Sequence, residues 1–203
     1  MKMYPASLQR LIAAFRQLPG VGEKTAERYA FAIAMQKEPQ ATLFAQAILD
    51  VKRNLHYCRI CGNFSEEEEC LICQDRTRNH QQIFVVQSPK DILVMENAKA
   101  YQGVYHVLNG LISPSKGILP EDLNIAHLLE RVKDAKEVIL ATDATMDGEM
   151  TALYLNKVLH KQYPDVLITR IAHGLPAGGM LDYADEITLH HAFADRKKLE
   201  AES

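Results

Sequence analysis

The apolar positions of the chain follow two spacings, and the change comes after His80. Before that residue, apolar side chains recur every three or four positions, the spacing of one face of an amphipathic helix. This spacing predicts a helix over 7–17, a second helix after the break at 18–22, and a third that Pro39 opens. The side chains expected to face inward on the second and third helices are Ala26, Tyr29, Ala30 and Ile33, then Leu43, Phe44, Ala47, Ile48, Val51 and Leu55.

After His80, short apolar runs alternate with helical patterns. The runs predict strands at 83–86, 105–108, 137–142 and 166–171, and the patterns between them predict helices from Ser88, over 123–132 and over 150–159. Apolar strands that alternate with helices indicate a parallel sheet covered by helices on both faces. Residues that act on a ligand or a partner are then expected at the carboxyl ends of the strands. A glycine-rich turn over 174–179 leads into a final apolar segment over 181–189.

All four cysteines lie in two CxxC turns, Cys58 with Cys61 and Cys70 with Cys73. A CxxC turn brings two thiolates to the same side, and two such turns can complete a tetrahedron around Zn²⁺. Two disulfides would need an oxidising compartment, and a redox CxxC would need only one pair. The spacing therefore predicts one structural zinc ion, bound by all four cysteines, with no open position for a substrate.

Composition limits the class of protein. With 203 residues, 47% of them hydrophobic and 24% charged, the chain has the make-up of an ordinary folded protein. Its net charge of −3 argues against a protein that coats nucleic acid with its whole surface, although a local basic patch is compatible with it. No apolar run approaches the roughly 20 residues that span a bilayer, and the amino terminus has no secretory signal pattern. We therefore expect a cytoplasmic protein with no membrane association.

The turn between the first two helices is the first candidate binding site. We expect this turn to be too tight for a Cβ at two positions, and the sequence has glycine at both of them, Gly20 and Gly22. Free backbone N–H groups at the start of the second helix would form an anion site, and Lys24 and Arg28 share the helix face beyond it. Such a site suits a nucleic-acid phosphate and reads no base. The alternative is a plain connection with a salt-bridged surface, since glutamates lie beside both cations.

A second candidate site follows the third predicted strand, where Asp143, Asp147 and Glu149 occur together. Three carboxylates at the carboxyl end of a strand have the chemistry to hold Mg²⁺ for phosphoryl transfer. Alternatively, they complement the dipole of the following helix. A metal-dependent nuclease or topoisomerase usually needs a further acid on a neighbouring strand, and the end of the first strand here is the neutral Gln87.

In this order the motifs resemble one family, the bacterial recombination mediator RecR, over almost the whole chain. The turn at 18–22 with Lys24 and Arg28 is similar to its helix-hairpin-helix, and the four cysteines are similar to its zinc knuckle. Residues 85–87 and 141–149 resemble its Toprim domain, and residues 174–185 its carboxyl-terminal segment. The expected fold is α/β: a helix-hairpin-helix domain over 1–54, a four-cysteine zinc finger over 55–80, a Toprim-type parallel sheet with helices on both faces over 81–173, and a C-terminal segment over 174–203.

The resemblance implies a non-enzymatic, DNA-binding mediator in recombinational DNA repair. Members of the family form rings, here expected to be tetramers, and act with RecO and RecF to help load recombinase on gapped or single-stranded DNA. It assigns Lys24 and Arg28, beside the turn of Gly20 and Gly22, to sequence-independent DNA contact. It assigns the three acidic residues after the third strand to a partner or to weakly held Mg²⁺.

Two departures from the Toprim enzymes bear on activity. Those enzymes carry a glutamate at the position of Gln87 and a second aspartate at the position of Thr145. We therefore expect no catalysis. The alternative from another class is a Mg-dependent Toprim nuclease or primase-like enzyme, which would need the complete metal site. A third possibility is a zinc-dependent scaffold that binds only protein.

Overall fold

The computed structural model describes residues 4–172, 174–175, 178–194 and 196. The chain divides into two compact units, which meet in sequence between Leu55 and His56. The described part of the first unit contains α1 (Ala6–Arg16), α2 (Glu23–Ala34) and α3 (Glu38–Asn54). These confirm the three predicted helices.

The first unit has a small core, built where α1 packs against α2. Ala26 and Ala30 are fully buried there beside Ile12, as the helical spacing predicts for the two alanines. For Tyr29, which is 41% exposed, the inward prediction is wrong.

The inward prediction is also wrong for the third helix, since α3 buries none of its own side chains. Its apolar residues instead border an open groove of about 270 Å³, lined from the other side by Leu11, Phe15 and Ile33. Among the large apolar side chains of α3, the most exposed are Leu43, Val51 and Ile48. The first unit therefore carries an apolar helix face that a single chain leaves open to solvent.

The second unit begins with the cysteine knuckle, whose short elements were not predicted. Strands β1 (His56–Tyr57) and β2 (Phe64–Ser65) pair antiparallel, and α4 (Leu71–Gln74) follows Cys70. The knuckle is attached to the sheet, because the backbone N–H of Val107 donates to the Cys61 carbonyl at 2.7 Å. At this junction Gly62 has φ +76°, and a Cβ there would lie 2.7 Å from Asn124 Nδ2. The close approach therefore requires glycine.

The main sheet has four parallel strands: β3 (Asn79–Val86), β4 (Gly103–Val107), β5 (Glu137–Ala141) and β6 (Leu167–Arg170), in the order β4–β3–β5–β6. This confirms the predicted parallel sheet. Strand β3 starts earlier than the apolar run, because its polar first residues still pair with β4 across a register shift between Asn79 and Ile83. An apolar run marks the buried part of a strand and misses such a polar extension.

Alternate side chains of β3 enter two separate cores. Ile83 and Val85 pack with α6 (Ile125–Val132) and α7 (Met146–Gln162). Phe84 and Val86 pack on the other face with α5 (Pro89–Ala98). The prediction of helices on both faces is confirmed.

The C-terminal segment contains a 3₁₀ turn at Leu181–Tyr183 and α8 (Glu186–Ala194). Residues 176 and 177 of the predicted glycine-rich turn lie outside the described part of the chain, as do residues 1–3, 173, 195 and 197–203 of the predicted domains. None of the described helices combines the length and the apolar character needed to cross a membrane.

His106 in β4 is fully buried, and its hydrogen bonds define a neutral ring. Arg131 Nη1 lies 3.1 Å from its Nδ1, and its Nε2 lies 2.7 Å from the Asn124 carbonyl. Because a guanidinium can only donate, Nδ1 is the acceptor and Nε2 carries the proton. Burial, with a further contribution from the Arg131 charge, lowers the pKa of His106 to about 3.

We expect the second unit to lose stability as the pH falls below about 6.5, the ordinary histidine pKa, because the unfolded chain then takes up a proton that the folded chain excludes. This contribution is complete above that pH, falls by about 2 kcal/mol at about pH 5, and is lost as the pH approaches the folded pKa. Urea denaturation at both ends of this range should show a smaller pH dependence in His106→Gln. Release of zinc at low pH affects the unmodified protein and the His106→Gln variant alike. If the stability of both depends on pH to the same extent, the prediction is wrong.

Candidate functional site

The four cysteines converge on one buried point. Their sulfurs all lie within 4.8 Å of one another. The Cys61 and Cys70 sulfurs are 3.6 Å apart. Two sulfurs at a tetrahedral ion with Zn–S bonds of about 2.3 Å would be about 3.8 Å apart, whereas a disulfide bond is about 2.05 Å long. The geometry fits zinc, and all four cysteines are free rather than paired in disulfides.

Backbone amides orient the sulfurs. The N–H of Asn63 donates to Cys61 Sγ at 3.4 Å, and the N–H of Cys70 donates to Cys58 Sγ at 3.3 Å. The hydrogen bond of Cys73 with Cys58, followed by those with the other two sulfurs, raises the pKa of Cys73. Four thiolates at this spacing need a compensating cation, which Zn²⁺ supplies when bound. All four positions of a tetrahedral ion are then filled, so the role is structural.

The turn between α1 and α2 was predicted to require glycine at two positions, and the structure confirms this for one of them. Gly20 has φ +76°, a backbone conformation that residues with a side chain rarely adopt. For Gly22 the steric prediction is wrong, because its φ is −77° and its backbone is extended. A Cβ at Gly22 would meet no described atom within 4 Å. Gly22 is instead the N-cap of α2, and as a glycine it has no side chain that could cap the N–H groups that follow it.

Lys24 and Arg28 are both exposed on α2, one turn apart. The Arg28 guanidinium lies 5.6 Å from the centre of the Tyr29 ring. The positive end of the helix dipole and two cationic side chains therefore occur on the same first two turns of α2. This arrangement has the charge and the donors to bind a phosphate.

The three acidic residues at the carboxyl edge of the sheet each have a side-chain partner. The Gln87 amide donates to Asp143, and Lys116 Nζ lies 3.2 Å from Asp147 Oδ2. Arg170 binds Glu149 through both of its terminal nitrogens, with one N–O distance of 2.6 Å. Hydrogen bonds from Ser113 and then Lys116 hold the pKa of Asp147 below its ordinary value.

Helix α7 begins at Met146 rather than at residue 150, so the predicted start is wrong. The cause is Thr145, whose hydroxyl accepts a hydrogen bond from the Gly148 N–H at 3.2 Å and caps the helix. Asp147 and Glu149 therefore lie in the first turn of α7. A Cβ at residue 148 would lie 2.0 Å from the Asp143 carbonyl oxygen, so only glycine lets the loop pack so closely on the helix.

Lys116 and Arg170 are functional candidates that the sequence patterns missed. For Arg170 a signal existed, because it ends the strand next to β5 and pairs in register with Leu140. For Lys116, the last residue of a 3₁₀ turn (Pro114–Lys116) that follows β4, the periodicity carried no such signal. Together the two cations balance two of the three carboxylates. The residues as arranged do not fit a Mg²⁺ site, because the ion would have to displace both cations from its oxygen ligands.

Comparisons with known proteins identify the family. Family models match residues 8–52 (RecR, helix-hairpin-helix), 55–75 (RecR, four-cysteine zinc finger domain), 81–172 (Toprim domain) and 174–197 (RecR, C-terminal). The chain is 48% identical to the Recombination protein RecR of Enterococcus faecalis over 198 residues, which covers 97% of this chain and 99% of the relative. The chain therefore belongs to the RecR family, and its four cysteines form the structural zinc site of the family's zinc finger.

We expect one Zn²⁺ per chain in purified protein. Cys70→Ser should lose most of the zinc and much of the soluble yield, because metal binding supplies folding free energy, about 10–16 kcal/mol in isolated finger peptides. Elemental analysis against protein concentration measures this. As a matched control, His80→Ala changes an exposed histidine beside the knuckle and should retain full zinc. Less than half an equivalent in the unmodified chain would refute the zinc centre.

Proposed function

We propose that the chain is a non-enzymatic mediator of recombinational DNA repair that binds DNA without reading its sequence. The observation that carries the proposal is the uncapped amino end of α2, with Lys24 and Arg28 on its exposed face, in a chain of the RecR family. The name of the Enterococcus relative connects that protein to recombination. Gly20 shapes the turn, and Gly22 leaves the amides open to a phosphate.

DNA binding through this site is weak in one chain and strong only in an oligomer. Two cations and a few amides neutralise few phosphates, and the net charge of the chain is −3. Repeating the site around a closed assembly raises the effective concentration of each contact without any new interaction. We therefore connect the DNA contact to the oligomer that the family resemblance implies.

We propose a ring-shaped tetramer. Each unit of the chain carries its own exposed apolar surface: the face of α3 with Leu43 71% and Val51 56% exposed, and the C-terminal segment with Tyr183 86% and Ile187 70% exposed. Two different surfaces of this kind allow two different interfaces, and symmetric pairing through both closes an assembly of four chains. Apolar patches on separate elements are typical of surfaces that a partner covers.

The acidic edge of the sheet serves recruitment in this proposal. Asp143, Asp147 and Glu149 face a basic surface of RecO, since a negative patch steers association with a basic partner. Asp143 contributes most of the attraction, because its partner Gln87 is neutral and leaves its charge uncompensated. RecF and recombinase loading on gapped or single-stranded DNA complete the role that the family resemblance implies, in the cytoplasm, where thiols stay reduced.

The Mg-dependent nuclease or primase-like alternative has less support. Gln87 and Thr145 stand where two metal-binding acids are needed, and Lys116 and Arg170 neutralise two of the carboxylates that remain. The protein-only scaffold would leave the cationic face of α2 without a role. Substitution of Lys24 and Arg28 distinguishes the mediator from the scaffold, and substitution of Asp147 and Glu149 distinguishes the mediator from the enzyme.

Replacing Lys24 and Arg28 together with glutamate should abolish DNA binding and leave the tetramer intact. Any residual binding should have a salt slope about 1.4–1.8 smaller, because each phosphate contact contributes about 0.7–0.9 to the slope. Fluorescence anisotropy at several salt concentrations and solution mass measure both properties. The matched control is Lys157→Glu with Lys161→Glu, an exposed cationic pair with the same spacing on α7. Unchanged affinity in the first variant would place the DNA surface elsewhere.

Replacing Asp147 and Glu149 with alanine should weaken the complex with RecO. Because Lys116 and Arg170 then lose their partners, the local net charge changes from about −1 to about +1 and repels a basic surface. Zinc content, solution mass and binding to bare DNA should stay unchanged. Glu66→Ala with Glu67→Ala, in the exposed tip of the knuckle, gives the same charge change as a control. If the unmodified chain cleaves DNA with Mg²⁺ and the Asp147→Ala, Glu149→Ala variant does not, the mediator role of this edge is overturned.

A further inference from the structure

The knuckle presents a stacked pair of aromatic rings to solvent. Tyr57 and Phe64 are register partners on β1 and β2. Their ring centroids are 5.5 Å apart and their planes differ by 17°. Tyr57 is 56% exposed and Phe64 is 49% exposed, so about half of this apolar surface remains in water. The zinc site next to the hairpin holds the two strands, and therefore the rings, in place.

Tyr57 also forms one wall of a polar cavity at the carboxyl ends of β3 and β4. The cavity has a volume of about 450 Å³, within the range of small-ligand sites. The polar and charged side chains that line it, besides Tyr57, are Gln87, Ser88, Lys90, Asn109, Ser113, Lys116 and Asp147. Asp147 compensates Lys116, and Lys90 adds a further positive charge at the start of α5. An aromatic platform therefore adjoins a hydrogen-bonding cavity in which Lys90 is the cation that no other lining residue compensates.

We propose that this surface binds an unpaired nucleotide of single-stranded DNA. A base stacks on the Tyr57–Phe64 pair, and the adjacent phosphate lies in the cavity near Lys90. Aromatic side chains hold successive bases in single-strand binding proteins in this way, and the interaction tolerates every base because each has a π-face. The side-chain amide of Asn109, and the amide N–H of Gln87 that does not donate to Asp143, provide hydrogen-bond donors for phosphate or sugar oxygens.

The combination of groups favours single-stranded DNA over the alternatives. An apolar protein segment would use the rings but would leave the cationic cavity beside them without a partner. A DNA duplex would offer phosphates to the cavity, but its bases stack on one another and are not available to the rings. The surface belongs to the second unit of the chain, so the inference goes beyond the proposed DNA contact of α2 and does not depend on it.

The test compares two double variants of the full chain. Tyr57→Leu with Phe64→Leu removes both rings but keeps apolar bulk, and should weaken binding to a single-stranded oligonucleotide by about 5- to 100-fold. Tyr57→Phe with Phe64→Tyr exchanges the rings and should bind as the unmodified chain does. Affinity for a duplex of the same length should be equal in all three chains, and zinc content and solution mass report on folding. Equal single-strand affinity of the leucine variant and the unmodified chain, or a parallel loss of duplex affinity, would overturn the proposal.

A crosslinking experiment locates the base directly and does not depend on any variant folding. An oligonucleotide that carries 5-iodouracil is irradiated in the complex with the unmodified chain, and the adduct is mapped by peptide mass spectrometry. An adduct on Tyr57 or Phe64 supports the site, and adducts confined to other residues overturn it. Lys90→Glu should lower single-strand affinity without moving the adduct. If glutamates at Lys24 and Arg28 weaken binding while the leucine variant does not, the α2 contact stands and this one fails. If the leucine variant weakens binding while glutamates at Lys24 and Arg28 do not, this site is supported and the α2 contact is refuted.

Discussion

The packing of the four-cysteine knuckle against the sheet is the constraint on which the second unit depends. The four sulfurs fix the turn that carries Cys61, and the carbonyl of that residue accepts from the last residue of β4, Val107, at 2.7 Å. The glycine that follows Cys61 approaches Asn124, whose carbonyl accepts a hydrogen bond from His106. One continuous set of contacts thus joins the metal site to the end of the edge strand β4 and to the start of α6. The zinc ion therefore stabilises more than the short loop that binds it.

The carboxyl edge of the sheet shows how a cluster of carboxylates can persist without a metal. Three acids so close together would repel one another, and in a metal enzyme divalent cations remove that cost. Here Lys116, Arg170 and the amide of Gln87 supply the compensation from within the chain. The arrangement keeps the shape of the edge and leaves one carboxylate, Asp143, without a cationic partner among the described residues. An edge of this kind matches the recruitment of a basic partner that we propose, and it does not match the ligand set of a Mg²⁺ ion.

The sequence predicted those features that depend on local spacing. The period of the apolar residues located the strands and their two-sided burial, and the cysteine spacing located the zinc ligands. Features that depend on contacts between distant parts of the chain were missed. The stripe of α3 is apolar, but periodicity cannot say that a single chain leaves Leu43 and Ile48 uncovered. The pairing of Lys116 with Asp147 joins residues far apart in sequence, and Gly22 matters for access rather than for a strained φ.

The two proposed DNA contacts make different demands on DNA, and this difference bears on the preferred substrate. Phosphates at the amino end of α2 are available on single and double strands alike, and their contribution declines with salt. Stacking on Tyr57 and Phe64 requires a base that is free of its own neighbours. The rings carry no charge, so the stacking part of this contact depends on salt less than the phosphate contact beside it. A DNA that contains both a duplex and an adjoining single strand offers a partner to each of the two contacts, whereas a pure duplex offers one only to the α2 contact. Gapped DNA has this composition, so the pair of sites provides a physical reason for an oligomer of this chain to collect at gaps rather than along intact duplex.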